Sequence, residues 1–210
     1  YPTNTGDRPA VSLALWAQYL LDNFATVGEA VAALNTTPLR VVTAEVPGQE
    51  RLATVHLALS DAGGDSAIIE YIDGRAHVYH DPAYRVMTNS PTFDQQLELV
   101  KAFTGLGGSA PLPGSTEAAD RFARASYYAG RLPEPVSQVE GIASMFSVIR
   151  NAAQPFRIPD PGKPDASQTI WQVVLDLTNK RYVYESTTRP NIVWVDLADL
   201  DFAEGSPQLK

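Results

Sequence analysis

VMTNSPTF, residues 86–93, lies where a block of strand-like segments gives way to a block of helix-like ones. Pro91 disfavours helix at Ser90 and removes one backbone donor, so Asn89 is expected just past a strand end, in a stiff turn. A carboxamide held there offers N–H donors to a developing oxyanion. The alternative is that Asn89 only closes the turn, which is a common role for asparagine.

The residues before this junction predict two helices followed by a meander of antiparallel strands. The first helix is expected to open at Arg8-Pro9, and Thr26 and Glu29 have the spacing of a capping box for the second. Asp73-Gly74 is a strong signal for a two-residue hairpin turn. The strands are predicted at residues 39–46, 52–59, 67–72, 76–79 and 84–88.

The residues after the junction predict three helices and then three strands. The helices are expected from residue 92 or 94 onward, at residues 117–130 and at residues 136–151; the strands are expected at residues 169–177, 181–186 and 192–197. A loop rich in Pro, Asp and Gly fills residues 154–167. Because the antiparallel strands are segregated from the helices, the fold class is predicted to be α+β.

Composition limits the classes of partner. The 210 residues are 44% hydrophobic, which is enough for one core, so residues 1–210 are predicted to form a single domain. A net charge of −8 argues against binding to nucleic acid or to an anionic membrane surface. No apolar run approaches the roughly 20 residues that span a bilayer. The absence of cysteine excludes a disulfide, a thiolate metal site and a cysteine nucleophile within these residues.

Few motifs in the chain carry chemistry by themselves. The three histidines, His56, His77 and His80, would need acidic or histidine partners from elsewhere to bind a metal ion. There is no Gly-x-Ser-x-Gly elbow for a serine nucleophile. We therefore expect neither a metal nor a cofactor.

Arg121 is the second residue of interest. It can be a surface cation paired with Glu117 at helical spacing. Because Phe122 and Ala125 are apolar, it can instead be a partly buried guanidinium that holds a thiolate, a carboxylate or a developing anion.

A set of segments, taken in order, resembles the choloylglycine hydrolase and penicillin V acylase family. They are WAQYLLD (16–22), the turn and strand at residues 61–71, TNSPTFD (88–94), LPG (112–114), DRFARAS (120–126), YES (184–186) and residues 191–197. The likeness covers nearly the whole chain and looks closest to the Gram-negative branch. Ser115 stands where the bile-salt enzymes have an acidic residue after Leu-Pro-Gly.

The resemblance implies an N-terminal nucleophile hydrolase with an αββα sandwich of antiparallel sheets. Members of the family cleave linear amide C–N bonds in acylated small molecules, with an N-terminal cysteine as the nucleophile and its own α-amine as the general base. By the resemblance, Asn89 matches the asparagine that helps to form the oxyanion hole. Arg121 matches the arginine that lies near the nucleophile and supports its charge.

The resemblance also implies that these residues are the C-terminal two-thirds of a longer domain, whose N-terminal segment carries the cysteine. The expected substrate is a small acyl amide of the penicillin V or acyl-homoserine lactone type, or a conjugated bile acid. The family implies a homotetramer, and the Gram-negative branch implies the periplasm, with the cytoplasm as the alternative. A second functional class stays open, namely a non-catalytic binding or scaffold protein that retains the acylase fold.

Overall fold

The computed structural model describes residues 1, 9–36, 39–43, 52–158, 168–189 and 191–206. Contacts between backbone positions divide the chain into two units, Tyr1–Leu99 and Val100–Lys210.

The described part of the first unit contains three α-helices and two small sheets. Its elements are β1 (Ala10–Ser12), α1 (Trp16–Asn23), α2 (Val27–Thr36), β2 (Arg40–Val42), β3 (Leu57–Ser60), β4 (Ser66–Ile72), β5 (Arg75–His80) and α3 (Phe93–Leu99). Strands β3, β4 and β5 form an antiparallel meander with β4 in the centre. Asp73 and Gly74 both have positive φ, 49° and 76°, as the predicted two-residue hairpin requires.

The core of the first unit lies between these helices and strand β4. Trp16 and Leu20 of α1, Ala30 of α2 and Ile69 of β4 belong to one buried cluster. Residues 66–70 of β4 are buried on both faces of the sheet, which explains the apolar run at residues 67–69.

The capping box at the start of α2 is confirmed. The Glu29 N–H donates to the Thr26 hydroxyl, at 3.2 Å, and the Thr26 N–H donates to the Glu29 carboxylate, at 3.1 Å.

Asp61 joins the start of α2 to the turn between β3 and β4. One of its carboxylate oxygens accepts the Val27 N–H at 2.9 Å, and the other accepts the Gly63 N–H at 2.9 Å.

Asp61 is expected to make the stability of this unit depend on pH in the acid range. The Val27 N–H, more than any other group, lowers the pKa of Asp61 below its ordinary value of 3.8. Because the folded state favours the ionised carboxylate, this interaction stabilises the folded state at pH values above the ordinary pKa of aspartate. The stabilisation is lost as the pH falls through the lower pKa of the folded state. Asp61→Asn should therefore flatten the fall in Tm between about pH 4 and pH 2. Asp22→Asn, which removes the same charge from an exposed position on α1, is the control; identical pH profiles for the two variants would contradict this role.

The described part of the second unit contains two long helices and one sheet. Its elements are α4 (Ala118–Ala129), α5 (Gln138–Ala152), β6 (Trp171–Asp176), β7 (Arg181–Ser186) and β8 (Ile192–Asp196). The strands form an antiparallel meander in sequence order. Phe146 of α5 packs against Val174 of β6 and Val183 of β7, and this cluster joins the helix to one face of the sheet.

Two ion pairs reinforce the second unit. Arg150 of α5 donates to both carboxylate oxygens of Glu185 on β7, at 3.1 and 2.6 Å. Arg181 at the start of β7 donates to Asp196 at the end of β8, with an Nη2–Oδ2 distance of 2.9 Å. Bidentate pairs of this kind fix geometry as well as charge.

The predicted opening of the first helix at Arg8-Pro9 is wrong, although Arg8 itself lies outside the described residues. Ala10–Ser12 is strand β1, it pairs in parallel with β2, and the α-helix begins only at Trp16. The Pro9 carbonyl accepts the Arg40 N–H at 3.1 Å, so this backbone joins a distant strand instead of a local helix. The parallel pair is also an exception to the expected antiparallel sheets.

Two strand predictions in the first unit need correction. Residues 84–88 form no strand, and the strand expected from residue 52 begins only at Leu57. Residues 84–88 are anchored by side chains instead of a ladder: the Ser66 hydroxyl donates to the Tyr84 carbonyl at 2.7 Å, and the Tyr84 ring meets Phe93 edge-on.

The remaining predicted elements agree with the structure to within a few residues, and the α+β class is confirmed. Residues 44–46 of one predicted strand and residues 159–167 of the predicted loop lie outside the described residues. Within the described ranges, no helix combines the length and the apolar character needed to cross a bilayer. The single-domain organisation stays a prediction.

Candidate active site

The Asn89 side chain is exposed on a bend between an extended segment and helix α3. Residues 84–88 run without regular structure, residues 89 and 90 bend, and α3 begins at Phe93. The peptide bond between Ser90 and Pro91 is cis. The turn that the sequence predicted at Asn89 is present as a bend, but the strand expected to end before it is absent from residues 84–88.

A cleft of about 230 Å³ adjoins Asn89 in the first unit. Its walls come from the segment before β3, from the end of β4 and from the bend itself. The lining residues are Thr54, Val55, His56, Glu70, Tyr71, Ile72, Asn89, Ser90, Pro91 and Thr92. Asn89, an exposed residue, thus lines a concave surface of mixed polar and apolar character.

A buried carboxylate forms part of the cleft. Glu70 of β4 is 6% exposed. One of its oxygens accepts the Phe93 N–H at 2.8 Å, and the other lies 3.5 Å from Nδ1 of His56. Because the bonded N–H is at the first residue of α3, Glu70 ties the start of this helix to the central strand of the sheet.

The tyrosines of this region are held in the protonated form. Burial raises the pKa of Tyr71, and the neighbouring Tyr1 raises it further. Burial, followed by the charges of Asp94 and Glu70, raises the pKa of Tyr79 to about 12. At neutral pH both phenols are hydrogen-bond donors and not bases.

Arg121 lies in the first turns of α4 and is half-buried. Its Nε donates to the Thr116 carbonyl at 3.1 Å. Burial, and then the charge of Arg124, lowers the pKa of the Arg121 guanidinium, while Glu117 opposes the shift. Because an arginine side chain stays protonated in proteins, the group still carries its charge at neutral pH. Arg121 is partly buried, as one of its two predicted settings requires, and Glu117, the partner in the other setting, also acts on its charge.

Arg124, one turn further along α4, has a different set of contacts. Its Nη1 donates to the carbonyls of Pro113 and Ser115, at 3.0 and 2.8 Å, and its Nε donates to the carbonyl of Asn151 at 3.3 Å. Arg124 therefore fastens the segment before α4 and the end of α5 to the same helix. All of these hydrogen bonds go from the Arg124 guanidinium to backbone carbonyls.

The two predicted site residues belong to different units. Asn89 and its cleft are in the first unit, and Arg121 is in the second. Their convergence on one reacting atom stays a prediction.

Sequence reasoning missed two residues that the structure places around Asn89, namely Glu70 and Gln96. Each left a signal in the sequence. Glu70 interrupts the apolar run of β4, and Gln96 follows Phe93 by three residues, on the helix face that is otherwise apolar.

Two of the three histidines lie beside single carboxylates. His56 is next to Glu70, and His80 Nε2 is 2.8 Å from the Asp65 carboxylate. Across the described part of the chain, no group of three or more histidine, aspartate or glutamate residues is arranged to hold a metal ion.

Comparisons with known proteins agree with this architecture. The chain is 48% identical over 212 residues to penicillin V acylase of Pectobacterium atrosepticum, a match that covers 95% of this chain and 56% of that protein. The solved structure of penicillin V acylase from Agrobacterium tumefaciens superimposes with a TM-score of 0.85 at 48% identity, over 98% of this chain and 62% of that one. The chain thus spans 56% and 62% of these two relatives' own length.

More distant relatives are bile acid hydrolases. The bile salt hydrolase/transferase of Bifidobacterium longum is 24% identical over 200 residues, which cover 85% of this chain and 62% of that protein. A variant of the conjugated bile acid hydrolase of Clostridium perfringens superimposes with a TM-score of 0.75 at 20% identity, over 95% of this chain and 66% of that one, which bears on the fold alone.

The family model for linear amide C–N hydrolases of the choloylglycine hydrolase family matches residues 1–208. This match covers nearly the whole chain and agrees with the 48% identity to two penicillin V acylases. The predicted N-terminal nucleophile hydrolase fold is confirmed by the superpositions. The chain belongs to the choloylglycine hydrolase family of linear amide C–N hydrolases.

Proposed function

We propose that these residues are part of an enzyme that hydrolyses the amide C–N bond of an N-acylated small molecule. The observation that carries the proposal is the position of Asn89, an exposed residue that lines a cleft of about 230 Å³ in a chain of this family. The preferred substrates are penicillin V and acyl-homoserine lactones, with conjugated bile acids next. The identity of 48% to two penicillin V acylases supports penicillin V as the first choice.

The nucleophile in this proposal is an N-terminal cysteine supplied by residues outside the 210, which contain no cysteine. Its α-amine has a pKa near 8, so it can take the thiol proton at working pH. The sulfur then bonds to the amide carbon while the carbonyl oxygen becomes an oxyanion. The α-amine passes its proton to the leaving nitrogen as the C–N bond breaks, and water hydrolyses the resulting thioester to a carboxylic acid.

Each site residue has a separate role in this sequence of steps. The N–H donors of Asn89 stabilise the oxyanion, whose negative charge is absent from the ground-state amide. The charged guanidinium of Arg121 favours the thiolate over the thiol. We further propose a homotetramer in the periplasm, on the strength of the family likeness.

A hydrolysis panel on the complete protein that contains these residues tests the proposal. Penicillin V, an N-acyl-homoserine lactone and a glycine-conjugated bile acid are incubated separately, and the released amine is quantified. We expect hydrolysis of at least one of the first two. Iodoacetamide should abolish turnover, and the alkylated peptide should lie outside residues 1–210. Absence of hydrolysis with all three substrates would favour a non-catalytic binding or scaffold protein.

A further inference from the structure

The carboxamide of Gln96 is buried directly beside the Asn89 bend. The side chain is 1% exposed and lies on α3, three residues after Phe93. A buried amide without partners would cost free energy, so its contacts identify what it holds.

Within the described part of the chain, Gln96 makes three side-chain hydrogen bonds, and all three go to the segment that carries Asn89. Its Oε1 accepts the Thr88 hydroxyl at 2.6 Å. Its Nε2 donates to the Asn89 carbonyl at 3.2 Å and to the Pro91 carbonyl at 2.7 Å. The contacts therefore lie before, at and after Asn89, and they use both donor hydrogens as well as the carbonyl oxygen of the amide.

The helix that carries Gln96 is itself tied to the sheet. The Glu70 carboxylate accepts the Phe93 N–H at 2.8 Å, and the Phe93 ring, 1% exposed, lies 5.0 Å from the ring of Tyr79. These contacts fix the start of α3 relative to strands β4 and β5. The Gln96 side chain in turn joins α3 to residues 88–91.

We propose that Gln96 is a positioning residue that sets the direction of the Asn89 carboxamide. The inference rests on the proposed function, in which that carboxamide meets the oxyanion. An oxyanion donor is effective only when it is oriented before the reaction, and a displacement of about 1 Å can cost about 100-fold in rate. Gln96 does not touch the substrate; it acts through residues 88–91.

Gln96→Met is the informative substitution, because methionine has a similar length and volume but lacks the donors and the acceptor. Gln95→Met is the matched control, since Gln95 is the exposed neighbour on the same helix. Thr88→Val is a milder second variant that removes only the hydroxyl donor to Gln96. All three are made in the complete protein, next to the wild type.

Two measurements are made on each variant. The first is the side-chain amide pair of Asn89 in spectra of protein labelled with ¹⁵N-asparagine, assigned by its loss in Asn89→Ala. The second is kcat and KM on the best substrate of the panel, with Tm as a check on folding. Loss of stability alone would leave the kcat of the folded enzyme unchanged, so the division between kcat and KM distinguishes the two roles.

We expect Gln96→Met to shift or broaden the Asn89 amide pair and to lower kcat about 100-fold, with KM changed by less than about threefold. Thr88→Val should produce a smaller change of the same kind, and Gln95→Met should produce none. An unchanged Asn89 amide pair, or an unchanged kcat, in both Gln96→Met and Thr88→Val would overturn the inference. If the wild type hydrolyses nothing, the proposed function fails, and the Asn89 amide pair alone decides whether Gln96 orients Asn89.

Discussion

Asn89→Ala is expected to lower kcat of the complete enzyme by roughly 10²- to 10³-fold, as the loss of one oxyanion donor does in other hydrolases. KM should change little, because the lost hydrogen bond forms only as the carbonyl oxygen becomes charged. The Asn89 side chain is exposed, so its truncation leaves no buried cavity. The measurement is steady-state kinetics on the best substrate of the panel, with Tm recorded in parallel.

Ser90→Ala provides the control for Asn89→Ala. Ser90 is the next residue in the same bend, it is exposed, and it lines the same cleft. Its truncation should leave kcat within a few-fold of the wild type. If Asn89→Ala also retained the kcat of the wild type, Asn89 would have no part in the mechanism.

Arg121→Ala is expected to lower kcat/KM by roughly 100-fold while Tm changes much less, because it removes a charge that favours the thiolate. The residue is half-buried, and burial and the charge of Arg124 lower the pKa of its guanidinium while Glu117 opposes the shift. Kinetics and thermal unfolding of the same preparation measure the two effects.

Arg124→Ala is the matched comparison, since the two arginines lie on one helix and differ in their contacts. Arg124 donates to the carbonyls of Pro113, Ser115 and Asn151, and the bond to Pro113 is partly buried while the other two are exposed. Its removal should destabilise the protein by about 1 to 2 kcal/mol and leave the turnover of the folded fraction largely intact. If Arg121→Ala reduced stability and turnover in the same proportion as Arg124→Ala, Arg121 would be a structural residue as well.

Local chemistry is what the sequence predicts well in this chain. The hairpin at Asp73-Gly74 requires two positive φ angles that few residues tolerate, and the capping box of Thr26 and Glu29 satisfies its own backbone donors. Both signals depend only on residues within a few positions of one another. The three strands of the closing meander were predictable for the same reason, because short turns join them.

Long-range pairing is what local signals could not predict. Pro9 is compatible with a helix start, yet its carbonyl accepts the N–H of Arg40, far along the chain, and the backbone continues as a parallel strand. Residues 84–88 look like a strand, but the carbonyl of Tyr84 is taken by the side chain of Ser66. Asn89 could be picked out from its motif, whereas the role of Gln96 depends on three contacts that appear only in the folded chain.

The central claim is that the Asn89 carboxamide and the Arg121 guanidinium converge on the carbon that the cysteine attacks. A crystal structure of the complete enzyme with a substrate-like aldehyde bound to the nucleophile as a hemithioacetal tests it directly. We predict an Asn89 Nδ2 to hemithioacetal oxygen distance of about 2.7 to 3.1 Å, with the Arg121 guanidinium within about 4 to 6 Å of the sulfur. A hemithioacetal oxygen bound by other donors, with Arg121 directed at a different surface, would contradict the claim.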